Sequence, residues 1–176
     1  MSQPDPLSIP YRTHDPVRLL RATIRYCLEG IALEARDDGE SAGAYLAIVT
    51  GNSVAETADP MGDNRWPDRG RNVLDDVDAF YDAATSVARS CDGAAVVAVD
   101  GIVNEQLVRF RSPGGLDVEY EPWMGARHMS ALDVSIREDV IATLTLSAET
   151  GRVSVFEDGR FESDAPAEFG DRWCGG

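Results

Sequence analysis

Three short segments of the chain combine residue types that can act on a phosphorylated ligand. They are an Asp-Gly-Ala sequence at 92–94, a Gly-Ala-Arg-His sequence at 125–128 and a Ser-Ala-Glu-Thr-Gly sequence at 147–151. Each lies at the end of an expected helix or strand, where a side chain can face a cleft. A glycine-rich backbone, a fixed cation, an imidazole and two acids are what metal-assisted phosphoryl chemistry requires. Together the segments indicate a nucleotide site.

Each segment also has an ordinary structural explanation. Asp-Gly is frequent in turns, and 147–151 can simply connect two hairpin strands. At 125–128, the free N–H groups of a helix start and a guanidinium can converge on a phosphate. Arg127 and His128 can equally be a surface cation and a capping imidazole. The chain has only one other histidine, His14, which lies in the expected arm. Composition alone leaves both explanations open.

Hydrophobic periodicity predicts the elements that must position these residues. Helices are expected at 15–31, 73–89 and 125–132, and strands at 44–50, 94–99, 102–110, 140–146 and 152–156. Asp100 and Gly101 form a hairpin-turn sequence, so 102–110 is expected to return antiparallel to 94–99. This pattern predicts one α/β domain with a mixed, largely antiparallel sheet flanked by helices. The domain is expected at 15–163, between a flexible arm at 1–14 and a C-terminal tail at 164–176.

Two further stretches leave alternatives open. The turn-rich segment at 59–67 is expected to be a long loop, and such loops are often functional. In it, Trp66 could stack on a base and Arg65 could bind phosphate, or Trp66 could pin the loop to the core. The acids at 75, 76 and 78 point in different directions on a helix, so they are expected to form a solvated face rather than a metal site. A short edge strand is expected around Val118 and Tyr120.

Charge is the most distinctive feature of the composition. Thirty-one acids oppose 16 basic residues, all of them arginine, for a formal net charge of −15. Such a field repels polyanions, which argues against general binding to nucleic acid or anionic membranes. A phosphate ligand therefore needs a local basic pocket. We also expect a cytoplasm of molar salt, as in a halophile, where counterions screen the self-repulsion of the fold.

The remaining composition indicates a cytoplasmic protein. The three cysteines, at 27, 91 and 174, are far apart and form no metal-ligand pair, so neither a disulfide framework nor a zinc site is expected. No apolar run reaches the roughly 18 residues of a membrane span, and the first residues lack the character of a signal peptide.

In order, spacing and surroundings, the three segments resemble the diadenylate cyclase domain, the N-terminal domain of the DNA-integrity scanning protein. The resemblance extends in pattern over about residues 44–161 and is dense from 91 to 161. It implies condensation of two ATP into cyclic di-AMP with release of two pyrophosphates. It further implies Mn²⁺ or Mg²⁺ as cofactor and a homodimer or higher homo-oligomer in which two protomers meet face to face.

The resemblance also implies roles for individual residues. The family's Asp-Gly-Ala holds the metal and the ribose 3′-hydroxyl, its Gly-Thr-Arg-His-Arg grips the phosphates, and its Ser-Glu-Glu-Thr-Gly lies near nucleotide and metal. The implied catalytic residues are Asp92, Arg127, His128 and Glu149, with Asp92 and Glu149 on the metal. The implied nucleotide-binding residues are Gly93, Ala94, Gly125, Arg127, His128 and Ser147.

Three positions depart from the family's motifs. Ala126 replaces a threonine, Met129 replaces the second arginine and Ala148 replaces the first glutamate of the pair. Arg65, Arg109 or Arg111 could replace the missing cation, and Ser130 the missing hydroxyl. Loss of these groups leaves a second hypothesis, a catalytically inactive module that binds ATP or cyclic di-AMP. A third is an unrelated partner protein in which the motifs are coincidental.

Overall fold

The computed structural model describes residues 15–51, 54–111, 122 and 124–169. The predicted arm at 1–14, the edge strand expected around Val118 and Tyr120, and residues 170–176 of the predicted tail lie outside this description. Within it we number three helices and seven strands in chain order; residues 166–169 are helical as well. The helices are α1 (Asp15–Asp38), α2 (Val77–Ser90) and α3 (Ala126–Val134), and the strands are β1 (Ala44–Val49), β2 (Ala58–Arg65), β3 (Ala95–Ala98), β4 (Gln106–Phe110), β5 (Val140–Leu146), β6 (Val153–Glu157) and β7 (Arg160–Asp164).

Five strands form the main sheet in the order β3-β1-β5-β6-β7. Only the β1 and β3 pair is parallel; β5, β6 and β7 continue the sheet in antiparallel pairs. A separate two-stranded sheet pairs β2 with β4. The predicted fold class, an α/β domain with a mixed and largely antiparallel sheet, is therefore confirmed.

Strand β1 is buried on both faces of the sheet. Leu46 and Ile48 face one apolar cluster, which α1 and α2 cover, while Tyr45, Ala47 and Val49 face a second cluster that includes α3 and residues of β4. The periodicity of α1 explains the first cluster, because apolar residues that recur every three or four positions along its sequence are all buried there: Val17, Leu20, Ile24, Cys27, Leu28 and Ile31. The core continues past the last strand, since Phe169 is fully buried.

The predicted hairpin between 94–99 and 102–110 is only partly correct. The turn forms, with the Gly101 N–H donating to the Ala98 carbonyl at 2.9 Å and Gly101 at φ 91°. Beyond it, isolated bridges join Ala94 to Val108 and Val97 to Val103, but no continuous ladder forms. Strand β3 pairs instead with β1, where its apolar residues are buried, and β4 pairs with β2.

The segment expected to be a long loop contains β2. Ala58, Asp59 and Pro60 pair in register with Phe110, Arg109 and Val108 of β4, and after an irregularity Arg65 pairs with Gln106. The turn residues that suggested a loop lie in this irregular part, where Gly62 has a φ of 57°. Local composition did not reveal the strand because its partner lies more than forty residues away.

Helix α2 begins at Val77, four residues later than predicted. The side chain of Asp76 accepts a hydrogen bond from the Ala79 N–H at 3.1 Å and caps the helix. Just before it, the Asn72 side chain accepts from the N–H groups of Leu74 and Asp75, which stabilises a turn in place of a helical start. One of the acids expected on a solvated face is therefore an N-cap.

Trp66 packs in the core rather than facing a ligand. It is only 2% exposed and stacks on Phe80, with ring centroids 5.4 Å apart and an interplanar angle of 20°. Its indole N–H donates to the Gly70 carbonyl at 3.2 Å. Neighbouring Arg65 donates to the carbonyls of Gly62 and Asn64. Of the two possibilities for this segment, the structure supports the one in which the tryptophan pins it to the core.

We expect Trp66→Ala to lower the free energy of unfolding by about 3–5 kcal/mol, the usual effect of truncating a buried aromatic. Urea denaturation in high-salt buffer measures the change. Leu19→Ala is the control, because Leu19 is 57% exposed and should change stability by no more than about 0.5 kcal/mol. A stable Trp66→Ala protein that has lost nucleotide binding would instead place this ring in the binding site.

Candidate functional site

A cleft of about 340 Å³ opens between the start of α3, strand β4 and the turn that precedes β3. The turn contributes the predicted Asp-Gly-Ala segment and the helix contributes Ala126, Arg127 and Ser130. The whole set of lining residues is Tyr45, Met61, Asp92, Gly93, Ala94, Val108, Arg109, Phe110, Ala126, Arg127 and Ser130. Two of the three predicted segments thus line this cleft.

Hydrogen bonds hold both the backbone and the side chain of Asp92. The side-chain amide of Asn64 donates to the Asp92 carbonyl at 2.9 Å, and the Gly93 N–H donates to Asp92 Oδ1 at 3.0 Å. Gly93 has a φ of 108°, and a Cβ there would lie 2.8 Å from Cγ of Met61. Glycine is required at this position because a side chain would be both strained and in collision.

Arg127 forms an ion pair with Asp92 across the cleft. Its Nη2 donates to Asp92 Oδ1 at 3.0 Å. This hydrogen bond, with the Gly93 N–H and the positive charges of Arg127 and Arg109, outweighs partial desolvation and holds the pKa of the Asp92 carboxyl below its usual value. Asp92 is therefore anionic at neutral pH and can accept a proton or bind a cation.

The cleft has one charged end and one apolar, aromatic wall. Tyr45 and Phe110 lie with their ring centroids 5.8 Å apart. The Tyr45 hydroxyl lies 3.2 Å from the Ser130 hydroxyl, so this wall also offers a polar pair. Such a cleft suits a ligand that carries an anionic group at one end and a flat, mostly apolar group at the other.

Of the arginines considered as replacements for the family's second cation, only Arg109 lines the cleft. Arg111 is engaged elsewhere, because it donates to both carboxylate oxygens of Asp59 and to the Glu56 carbonyl. Arg65 donates to backbone carbonyls of its own segment. Ser130 also lies in the cleft, so a hydroxyl is present there despite Ala126.

Ser147 and Glu149 line a second depression, of about 430 Å³, rather than the cleft with Asp92. The segment forms a tight turn, in which the Gly151 N–H donates to the Ser147 carbonyl at 2.9 Å and the Thr150 N–H to the Ser147 hydroxyl at 3.3 Å. This turn leaves the Glu149 side chain exposed. The two carboxylates expected to share a metal therefore line different depressions.

His128 lies in the core and not in the cleft. It is 5% exposed and its ring centroid is 6.4 Å from that of Phe156. Successive helical residues point about 100° apart, so when Arg127 faces the cleft, His128 faces the sheet. Burial, with the positive charges of Arg127 and Arg152, lowers the pKa of His128. Gly125 precedes it as the exposed N-cap of α3.

Four cleft residues were not identified from sequence: Tyr45, Met61, Val108 and Phe110. Asn64, which anchors the Asp92 backbone, was also missed. Only Tyr45 carried a recognisable sign, as the single aromatic residue in an otherwise aliphatic strand. The others reach the cleft through the pairing of β2 with β4, which the local sequence does not encode.

A carboxylate turn, a cationic helix start and an aromatic wall on a mixed α/β sheet define this chain as a nucleotide-binding domain. Residues 74–161, half of the chain, match the family described as DAC, DisA bacterial checkpoint controller nucleotide-binding. The chain therefore belongs to this diadenylate cyclase family. No curated protein sequence matches the chain significantly.

Two solved structures share the fold. One is a hypothetical membrane spanning protein from Bacillus cereus, with a TM-score of 0.55 and 16% identity over 82% of this chain and 63% of that one. The other is a double mutant of DacA from Staphylococcus aureus, with a TM-score of 0.53 and 19% identity over 90% of this chain and 95% of that one. Among the described residues, none of the helices has the length and apolar character needed to cross a membrane.

We expect His128 to make the fold sensitive to mild acid. Its pKa is lowered in the folded state, so as pH falls below about 6.5 the unfolded chain binds the proton first and the folded state loses stability. Urea denaturation at about pH 7.5 and about pH 5.5 should therefore show a larger loss for the wild type than for His128→Gln. The same dependence of stability on pH in His128→Gln and in the wild type would contradict the prediction.

We expect Arg127→Ala to raise the pKa of the Asp92 carboxyl toward its ordinary value of about 3.9, because its principal hydrogen-bond donor is removed. Carbon-13 NMR titration of the side-chain carboxyl measures this shift. Arg137→Ala provides a matched loss of one positive charge at a residue that does not line the cleft. Equal shifts in the two variants would mean that net charge, rather than the ion pair, sets the pKa.

Proposed function

We propose that this chain is a diadenylate cyclase that condenses two ATP into cyclic di-AMP and releases two pyrophosphates. The observation that carries the proposal is the contact between Asp92 and Arg127. These residues come from separate segments, both inside the family match, and meet in one cleft. Gly93 and Ala94 line the same cleft, as the resemblance implied.

The polarity of the cleft supports one orientation of ATP. The triphosphate lies at the charged end, where Arg127, Arg109 and the N–H groups at the start of α3 can receive it. The base lies against the wall formed by Tyr45 and Phe110. At about 340 Å³, the cleft is at the small end of the roughly 300–1,000 Å³ range of ligand pockets, which supports one nucleotide per protomer.

The donor groups of the cleft fit a divalent cation held partly by the substrate. Asp92 is an ionised carboxylate, and Mg²⁺ or Mn²⁺ commonly binds one or two carboxylates together with phosphate oxygens. Glu149 does not add a second ligand in this arrangement, and no group of three or more His, Cys, Asp or Glu suited to a metal occurs among the described residues. When bound, the cation supplies polarisation of the phosphate and neutralisation of the leaving group.

The chain's own residues then account for the transfer. Asp92 orients the ribose 3′-hydroxyl and accepts its proton as the oxygen attacks the α-phosphorus of the second ATP. The new bond to the 3′-oxygen forms as the bond to pyrophosphate breaks, and Arg127 stabilises the negative charge on the phosphate. Repetition with exchanged roles closes the ring. Because each cleft supplies one nucleotide, two protomers meet face to face about a two-fold axis.

One observation favours the second candidate, an inactive module that binds ATP or cyclic di-AMP. Asp92 is the only carboxylate among the described residues that line the cleft. The residue of the 147–151 turn that lies nearest to a Cβ built at Gly43 is Ala148, which brings no carboxylate. A fold that keeps its phosphate cation but has one acid can bind a nucleotide without turning it over.

Incubation of the purified protein with ATP and Mn²⁺ or Mg²⁺ in molar KCl, with products resolved by mass-detected chromatography, tests the proposal. We expect cyclic di-AMP from the wild type and a loss of at least about 100-fold in Asp92→Asn, which removes the proton acceptor. Asp63→Asn is the control, because this acid is exposed and does not line the cleft. If the folded protein binds ATP but leaves it intact, and Met129→Arg does the same, the binding module would be established instead.

A further inference from the structure

Gly43 lies immediately before β1 and beneath the guanidinium of Arg127. Its N–H donates to the Ala88 carbonyl of α2 at 3.0 Å, so its backbone is fixed in the core. A Cβ at this position would overlap Nη1 of Arg127, lie 3.4 Å from the Arg127 Cζ and lie 3.1 Å from the Ala148 Cβ. The guanidinium thus occupies space that any other residue type at position 43 would fill.

The backbone itself does not demand glycine here. Seven described glycines have a positive φ, and Gly43 is not among them. An L-residue can therefore adopt its conformation without strain. The three heavy atoms nearest to such a Cβ are Nη1 and Cζ of Arg127 and the Cβ of Ala148, and the end of the arginine side chain is flexible and can move aside. The fold can accept alanine at this position, but Arg127 could not then keep its observed position.

Arg127 is supported at both ends of its guanidinium. Nη2 donates to Asp92, while Nη1 lies against Gly43. The side chain of Arg127 is 33% exposed, so its guanidinium can move when one of these supports is changed. A methyl group on residue 43 would push the guanidinium away on the Nη1 side and would break the alignment of Nη2 with the carboxylate, because hydrogen bonds weaken steeply with angle.

We propose that Gly43 is a positioning residue for the nucleotide site: its lack of a side chain seats Arg127 where it meets Asp92 and, in the bound state, a phosphate of the nucleotide. Only the contact of Arg127 with a nucleotide phosphate rests on the proposed function. Gly43 lies outside the residues of the family match and carries no reactive group, so it acts entirely through Arg127.

The first test follows the Arg127 guanidinium directly by nitrogen-15 NMR of arginine side chains, in the protein without nucleotide. The Arg127 resonance is identified by its loss in Arg127→Ala. We expect it to be restrained in the wild type and in Ser41→Ala, an exposed neighbour on the same connection, and to become as mobile as a free surface arginine in Gly43→Ala. An equally restrained guanidinium in Gly43→Ala would overturn the proposal.

The second test is a double-mutant cycle on ATP binding by calorimetry in molar KCl. Gly43→Ala should weaken binding about tenfold, as expected for loss of one charge-assisted hydrogen bond, while the urea midpoint of unfolding stays unchanged. In an Arg127→Ala background the same substitution should cause no further loss. An additive loss would overturn the proposal. If the wild type binds no ATP, the proposed function fails, and the NMR experiment still decides the seating of Arg127.

The methyl group of Gly43→Ala also lies 3.1 Å from the Cβ of Ala148, a contact that does not involve Arg127. Gly43→Ala combined with Ala148→Gly removes the other close neighbour and leaves the overlap with the guanidinium. We expect this double variant to fold as the wild type does and still to release Arg127. A restrained guanidinium in the folded double variant would show that Gly43 has only a packing role.

Discussion

The burial of β1 on both faces is the constraint on which the rest of the structure depends. An isolated strand of aliphatic residues must be covered on each side of the sheet, because its apolar surface would otherwise face water. Helices α1 and α2 cover one face, and α3 with part of the β2 and β4 pair covers the other. The second covering is incomplete at one place, where the start of α3 and β4 stand apart. The candidate cleft is this gap, and Tyr45 of β1 forms part of its wall.

The cleft contains two arginines, although the chain as a whole is strongly anionic. A net charge of −15 disfavours the approach of an anion, so affinity for a triphosphate must come from a few cations at short range. Arg127 and Arg109 both lie in the cleft, and Arg127 is already oriented by Asp92. The ion pair orders this cation before a ligand binds, so less conformational entropy is lost on binding. A phosphate that engages Arg127 competes with Asp92 for it and so leaves the carboxylate available to a hydroxyl or a cation.

The second predicted acid lines a different depression from Asp92. Glu149 is exposed on the turn between β5 and β6, and Ala148 is the residue of that turn nearest to Gly43. The sequence alone did not reveal which residue of the turn lies near Gly43, because the geometry of a tight turn decides the direction of each of its side chains. With a single carboxylate in the described lining, a bound cation would depend on the phosphates of ATP for most of its ligands.

The sequence by itself determined the fold class, the face by which α1 packs, and which segments carry Asp92 and Arg127. Local periodicity and short motifs encode these features, since each depends on residues within a few turns of one another. Only the tertiary structure decided that β3 pairs with β1, that Trp66 and His128 are core residues, and that Met61, Phe110 and Tyr45 line the same cleft as Asp92. These depend on strand pairing and packing between distant residues, where many arrangements satisfy the same local pattern and burial of the whole core selects one.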